Sequence, residues 1–98
     1  MIKLESHIRK IISLCKALSV RKLDLIGSAA RDDFRKNSDI DVLVVFDGDM
    51  NLFDRYFELK ENLEKIFGRS VDIVMEEAIK NPIFRKSINQ DRVLLYAA

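Results

Sequence analysis

The sequence predicts a small α/β protein in which helices pack on a mixed central sheet of three to four strands. Three observations carry that expectation. Apolar residues recur at helical spacing in two long stretches, one near the start and one in the middle. Short β-branched runs stand between and after them, and one of these is too apolar to be a surface strand. The elements interleave rather than segregate, which favours a sheet covered by helices.

Ile8, Ile11, Ile12, Cys15 and Leu18 lie on one helical stripe, so residues 4–18 read as an amphipathic helix. His7 lies at its start and reads as a surface residue, while Cys15 on the stripe reads as a small core residue. Residues 20–26, V-R-K-L-D-L-I, form the first expected strand, with Leu23 and Leu25 on one face. Gly27 stops that strand, and Ser28 is placed to N-cap a short helical turn through Ala29, Ala30 and Arg31. Residues 32–38 are polar and read as a loop. Residues 40–46 are almost wholly apolar, which implies burial on both faces and a central position. The 27–39 connection is too short for a crossover helix, so the first two strands are expected antiparallel. Asp47-Gly48-Asp49 is turn chemistry.

Residues 51–67 give the strongest helix signal. Leu52, Phe53, Tyr56, Leu59, Leu63, Ile66 and Phe67 make a wide stripe, and Gly68 suits the stop. Residues 70–75, S-V-D-I-V-M, read as the third strand, with Asp72 inside it. A helical turn is expected at 76–80. Asn81-Pro82 then restarts a helix, with Asn as the cap and Pro in the first turn, running to about Asn89. Residues 92–96 read as a short terminal strand or an extended tail.

Ninety-eight residues fit one domain spanning 1–98. With 48% hydrophobic and 34% charged residues, the composition is that of an ordinary globular protein. So small a domain has a lean core, and a partner that covers some apolar surface is expected. The net charge of +1 gives no global field for nucleic acid or membrane. Basic residues fall in pairs, Arg9-Lys10, Arg21-Lys22, Arg35-Lys36 and Arg85-Lys86, which read as solvated faces and helix ends. Arg35-Lys36 stands apart, lying between the Gly-Ser turn and the aspartates. A single cysteine excludes an internal disulfide and fits a reducing compartment. No run approaches a membrane span and the N-terminus lacks a signal-peptide core, so a cytoplasmic location is expected.

The stretch 27–46 carries the chemistry. Gly27-Ser28 precedes a helical turn, where glycine allows close approach and free N–H groups attract phosphate. Asp39 and Asp41 stand two apart at the entrance of a buried strand, so their side chains leave on one face. Two such charges about 4 Å apart repel by about 4 kcal/mol at an effective dielectric near 20, and a cation relieves that repulsion. Asp72, among apolar neighbours, calls for a partner or a metal, or else for an exposed edge strand. If the third strand lies beside the second, Asp72 joins Asp39 and Asp41 in a two-metal site for phosphoryl or nucleotidyl transfer. The third carboxylate can then accept the proton of an attacking hydroxyl. No zinc cluster, P-loop or nucleophile elbow is present, and one histidine and one cysteine leave little room for a nucleophilic triad.

The run G-S-A-A-R-D-D-F-R-K-N-S-D-I-D-V-L-V resembles the nucleotidyltransferase motif of the DNA polymerase beta superfamily, Gly-Ser followed by a spacer and Asp-x-Asp. It is most similar to the minimal nucleotidyltransferases (MNT), and the resemblance extends over nearly the whole chain. It implies a nucleotidyltransferase-like fold and a Mg²⁺-dependent enzyme, with two ions and ATP as substrate. Asp39, Asp41 and Asp72 would be the catalytic and metal-binding carboxylates. Gly27, Ser28, Arg31 and Ser38 would bind the nucleotide. Many relatives are antitoxins paired with a HEPN-domain RNase toxin, and can transfer AMP from ATP to a tyrosine of that toxin. Here Ala29, Asp32, Lys36 and Asn37 depart from the common spacer, which leaves the metal ligands intact and bears on the phosphate loop. Two other readings stand beside this one. The chain could be a binding module that neutralises a toxin by contact, through the Phe53, Tyr56, Phe57 and Phe67 side of its long helix. Or it could transfer a nucleotide to a small molecule, ranked last because no extra substrate-holding domain is read in the sequence.

Overall fold

The computed structural model describes residues 5–31 and 39–98. Its elements are α1 (Ile8–Ala17), β1 (Val20–Ile26), β2 (Ile40–Phe46), α2 (Leu52–Phe67), β3 (Val71–Met75), α3 (Pro82–Asp91) and β4 (Val93–Ala97). Short 3₁₀ turns occupy Gly27–Ala30 and Glu76–Ala78. The four strands form one mixed sheet in the order β3-β2-β1-β4. β1 is antiparallel to both β2 and β4, and β2 is parallel to β3. The terminal segment is therefore a strand: it supplies the edge beside β1.

Strand alternation gives the sheet two unlike faces. On one, Leu23 and Leu25 of β1, Ile40, Val42 and Val44 of β2, and Val71 and Ile73 of β3 meet α1 and α2. Ile11 and Cys15 of α1 and Leu59, Leu63 and Phe67 of α2 complete this larger cluster. Burial pushes the Cys15 thiol up to about 12, as befits a core residue. On the other face a smaller cluster of Ile26, Leu43, Ile79 and Ile88 lies under α3.

Side chains fix the helix positions. The Arg55 guanidinium donates to the carbonyls of Leu18, Ser19 and Asp47, each at 2.8 Å, and to Met50 at 2.9 Å. It also lies 4.8 Å from the Phe46 ring centroid, so one residue ties the ends of α1 and β2 to the start of α2. At the other end of α2, Gly68 takes φ +67 and its N–H returns to the Glu64 carbonyl at 2.8 Å, the expected stop. Asn81 caps α3 by accepting from the N–H groups of Ile83 (2.9 Å) and Phe84 (3.4 Å).

Some expectations change. The first helix begins at Ile8 rather than residue 4, with residues 5–7 in a turn and no side-chain cap at His7. His7 is partly buried, edge-on to Phe67 with centroids 5.7 Å apart, rather than a plain surface residue. Phe53 falls within the expected apolar stripe of the long helix, yet it is 75% exposed, while its neighbours Leu52 and Tyr56 pack against the core. Ser28 does not N-cap the following turn. Gly27, at φ +70, itself opens that turn, so Ile26 occupies the cap position and Ser28 lies inside it.

Candidate active site

The sheet register assembles the site. In the parallel β2–β3 ladder Asp41 stands opposite Asp72, and in the antiparallel β1–β2 ladder Asp41 stands opposite Ile26, the last residue before Gly27. Asp72, Asp41 and the Gly27 turn thus form one row at one end of the sheet. Alternation puts Asp41 and Asp72 on the α3 face, with Leu43 and Val74 next along each strand. Asp39 precedes β2 at the same end and is exposed. Asp72 is also exposed, because β3 is an edge strand, so its presence there needs no metal to offset burial. What fixes its position is α2. Lys60 donates to the Val71 carbonyl and Glu64 accepts the Val71 N–H at 3.0 Å, pinning the residue before Asp72.

Asp41 is half-buried, and its carboxyl is held above the ordinary carboxylate range. Desolvation is the main cause, followed by the negative charges of Asp72 and Asp39, while Arg31 opposes the shift. Gly27 is required on two counts. Its φ of +70 is left-handed, and a Cβ there would lie 2.6 Å from Asp41 Oδ2. The close approach that glycine permits is therefore to the site's own carboxylate as well as to any ligand. Arg31, just beyond the turn, reaches Asp91 of α3 at 3.4 Å. Ser38, expected at the nucleotide, lies outside the described residues, as do Asp32, Arg35, Lys36 and Asn37.

The donor set can be tested against a metal. Among the described residues, no three acidic, His or Cys side chains are gathered into a ready metal cage. Mg²⁺, however, is commonly held by one or two carboxylates together with substrate phosphates. All-oxygen donors and a carboxyl destabilised by two acidic neighbours suit such a hard cation.

Two residues of this face escaped the sequence reading. Asp24 of β1 is only 2% exposed. Arg92, between α3 and β4, donates to it through Nε at 3.0 Å and again through a terminal nitrogen, and also reaches Glu76 at 2.9 Å. Burial works against the Arg92 charge, but the hydrogen bonds to Asp24 and Glu76 outweigh it and raise the guanidinium pKa. This clasp joins β1, the turn after β3 and the end of α3. The α3 residues Phe84, Ser87 and Asp91 were also missed; with Asp41 they line a cavity of about 250 Å³. Its only sequence signal was the apolar pair Ile83-Phe84 just after a strong helix cap.

Comparison with known proteins gives consistent findings. A model of the family described as "Nucleotidyltransferase domain" matches residues 8–95. A Methanocaldococcus jannaschii chain named "Putative protein adenylyltransferase" is 38% identical over 94 residues, covering 90% of this chain and 94% of its own. Protein adenylyltransferase MntA of Thermococcus cleftensis is 32% identical over 77 residues, covering 79% and 77%. Among solved structures, one described as "Structure of putative minimal nucleotidyltransferase" superposes with a TM-score of 0.76 at 31% identity, covering 92% of this chain and 90% of that one. An MNT antitoxin in complex with a tri-AMPylated Shewanella oneidensis HEPN toxin belongs to a structure that shares the fold: TM-score 0.66, 20% identity, coverage 98% and 74%.

Proposed function

The chain belongs to the nucleotidyltransferase domain family and is a nucleotidyltransferase; from that premise we propose that it is a cytoplasmic antitoxin that transfers AMP from ATP to a tyrosine hydroxyl of a HEPN-type RNase toxin. The observation that carries this reading is the row formed by Asp72, Asp41 and the Gly27–Ser28 turn at one end of the sheet. Relatives named as protein adenylyltransferases support the protein acceptor, and the HEPN–MNT complex of the same fold supports the partner.

In this reading the N–H groups of the Gly27–Ser28 turn bind the phosphates, and Arg31 adds positive charge beside them. Mg²⁺, held by Asp39 and Asp41 with Asp72 beside them, would neutralise the triphosphate and stabilise the leaving pyrophosphate. The acceptor oxygen attacks the α-phosphorus. Its O–P bond forms as the bond to pyrophosphate breaks, and its proton passes to the Asp72 carboxylate. Glycine at 27 keeps the space beside the Asp41 carboxylate clear, since a Cβ there would lie 2.6 Å from its Oδ2.

The test is label transfer from α-labelled ATP with Mg²⁺ onto proteins of the host lysate. Wild type is run beside Asp39→Asn and Asp41→Asn, with circular dichroism to show that all three are folded. A labelled band is expected with wild type alone, and equal labelling by the variants would defeat the proposal. One observation favours contact as a second route to neutralisation. Phe53 and Phe57 are exposed, with rings 4.7 Å apart, on a helix whose Phe67 end is buried. If contact suffices, a variant lacking both Asp39 and Asp41 carboxylates still neutralises the toxin.

A further inference from the structure

The cavity between α3 and the sheet, of about 250 Å³, adjoins the proposed phosphate turn. Ile26, Val74 and Ile88 give it apolar walls, and Phe84, a 48% exposed residue, stands at it. We propose that this cavity receives the base of the nucleotide, a planar heteroaromatic ring, and that Phe84 and Ser87 determine its recognition. The inference rests on the nucleotidyltransferase reading and assigns the part of the substrate that the carboxylates do not touch.

Size, lining and position agree on this occupant. Whole-ligand sites occupy roughly 300–1,000 Å³, so this cavity suits a ring rather than a complete nucleotide. Its surface is mostly apolar with an aromatic side chain at hand, and aromatic side chains stack on nucleic-acid bases of any sequence. The Ser87 hydroxyl can both donate and accept, which matches ring nitrogens and exocyclic groups. Position separates the base from the acceptor. Gly27, Arg31 and Asp41 line the cavity, whereas Asp39 and Asp72 do not. A ring tethered to phosphates on the Gly27–Ser28 turn lies on that side of Asp41. An acceptor hydroxyl that gives its proton to Asp72 must approach from the other. The Arg31–Asp91 ion pair links the turn to α3 and so couples the two walls.

The experiment is calorimetric titration in Mg²⁺ with two probes, ATP and inorganic tripolyphosphate, on wild type, Phe84→Ala and Ser87→Phe. Phe84 and Ser87 are exposed, so both variants should keep the wild-type thermal melt. Loss of one base stack corresponds to about a 5- to 150-fold weaker ATP affinity for Phe84→Ala. Ser87→Phe, which fills the cavity, should weaken ATP as strongly. Tripolyphosphate affinity should be unchanged in both. Unchanged ATP affinity in both variants, or equal losses for the two probes, overturns the base assignment while leaving the family activity standing. Unchanged ATP affinity with a raised KM for the protein acceptor overturns it in favour of the acceptor. Wild type that binds neither probe overturns the nucleotide reading itself, and the base assignment with it.

Discussion

On the α1/α2 face, β2 presents Ile40, Val42 and Val44, all fully buried; on the α3 face the same strand presents Asp41 and Leu43. The difference continues across the sheet. Leu23, Leu25 and Val71 point to the first face, while Asp24 and Asp72 lie on the second. One face is a dry core held by two helices. The other is a thin apolar layer under a single ten-residue helix, bordered by carboxylates and a guanidinium clasp. In this 98-residue chain the first face holds the stability and the second the chemistry. Burial on the first face holds β2 in place, and that fixed strand presents Asp41 on the second.

Substitutions on opposite faces should therefore fail in different ways. The largest effect is expected from Leu59→Ala, which opens a cavity under a fully buried side chain of α2. Such truncations cost about 2–5 kcal/mol, a large part of the roughly 5–15 kcal/mol that holds a small domain folded. Denaturant titration should show a large drop in midpoint, with any loss of transfer activity tracking the unfolded fraction. A stable Leu59→Ala protein with defective chemistry would erase the distinction between the faces. Next comes Arg92→Ala, which leaves Asp24 buried with, among the described residues, Lys22 at 3.8 Å as its remaining cationic neighbour. An unsatisfied buried acceptor costs about 1–3 kcal/mol. Because the clasp lies on the α3 face, amide exchange should rise first in α3 and β4, before α1 and α2 respond.

Much of the dry face could be read from the sequence, because period-2 and period-3.6 patterns record burial directly. Residues 20–26 and 40–46 match β1 and β2, and the short 27–39 connection correctly implied antiparallel pairing. Asn81 and Gly68 acted as the cap and stop that their chemistry suggested. The sequence left open whether the third strand lies beside the second; the structure pairs them in parallel and sets Asp41 opposite Asp72. The charged face was less legible because its partners are distant in sequence. Asp24 alternates with Leu23 and Leu25, so its side chain leaves on the other face, and its partner Arg92 is 68 residues away. His7 meets Phe67 only because α1 packs on α2. Phe53 fits a wide periodic stripe, yet it sits at the stripe's flank and is exposed while Leu52 and Tyr56 pack inward. The frame of the Gly27 turn depended on a left-handed glycine, which shifted Ser28 from the cap into the turn.

The smallest predicted effect is the most discriminating, since it sets stability against chemistry at one atom pair. Asp41→Asn replaces a carboxylate by an isosteric amide at the centre of the acidic row. Burial, Asp72 and Asp39 raise the folded-state pKa of Asp41 above that of the unfolded chain. The unfolded chain then releases this proton at lower pH than the folded one, so stability falls as pH rises through the two values. Above both values that loss is complete. Asn cannot ionise, so at pH values where Asp41 is ionised in both states the variant should melt higher than wild type. The advantage should vanish below the ordinary carboxylate range, where Asp41 is protonated in both states. Mg²⁺ with nucleotide should reverse the order at the higher pH values by stabilising wild type more than the variant. Equal melting temperatures at those higher pH values would mean that the acidic row is already relieved without a cation, and that the α3 face is not maintained at a cost in stability.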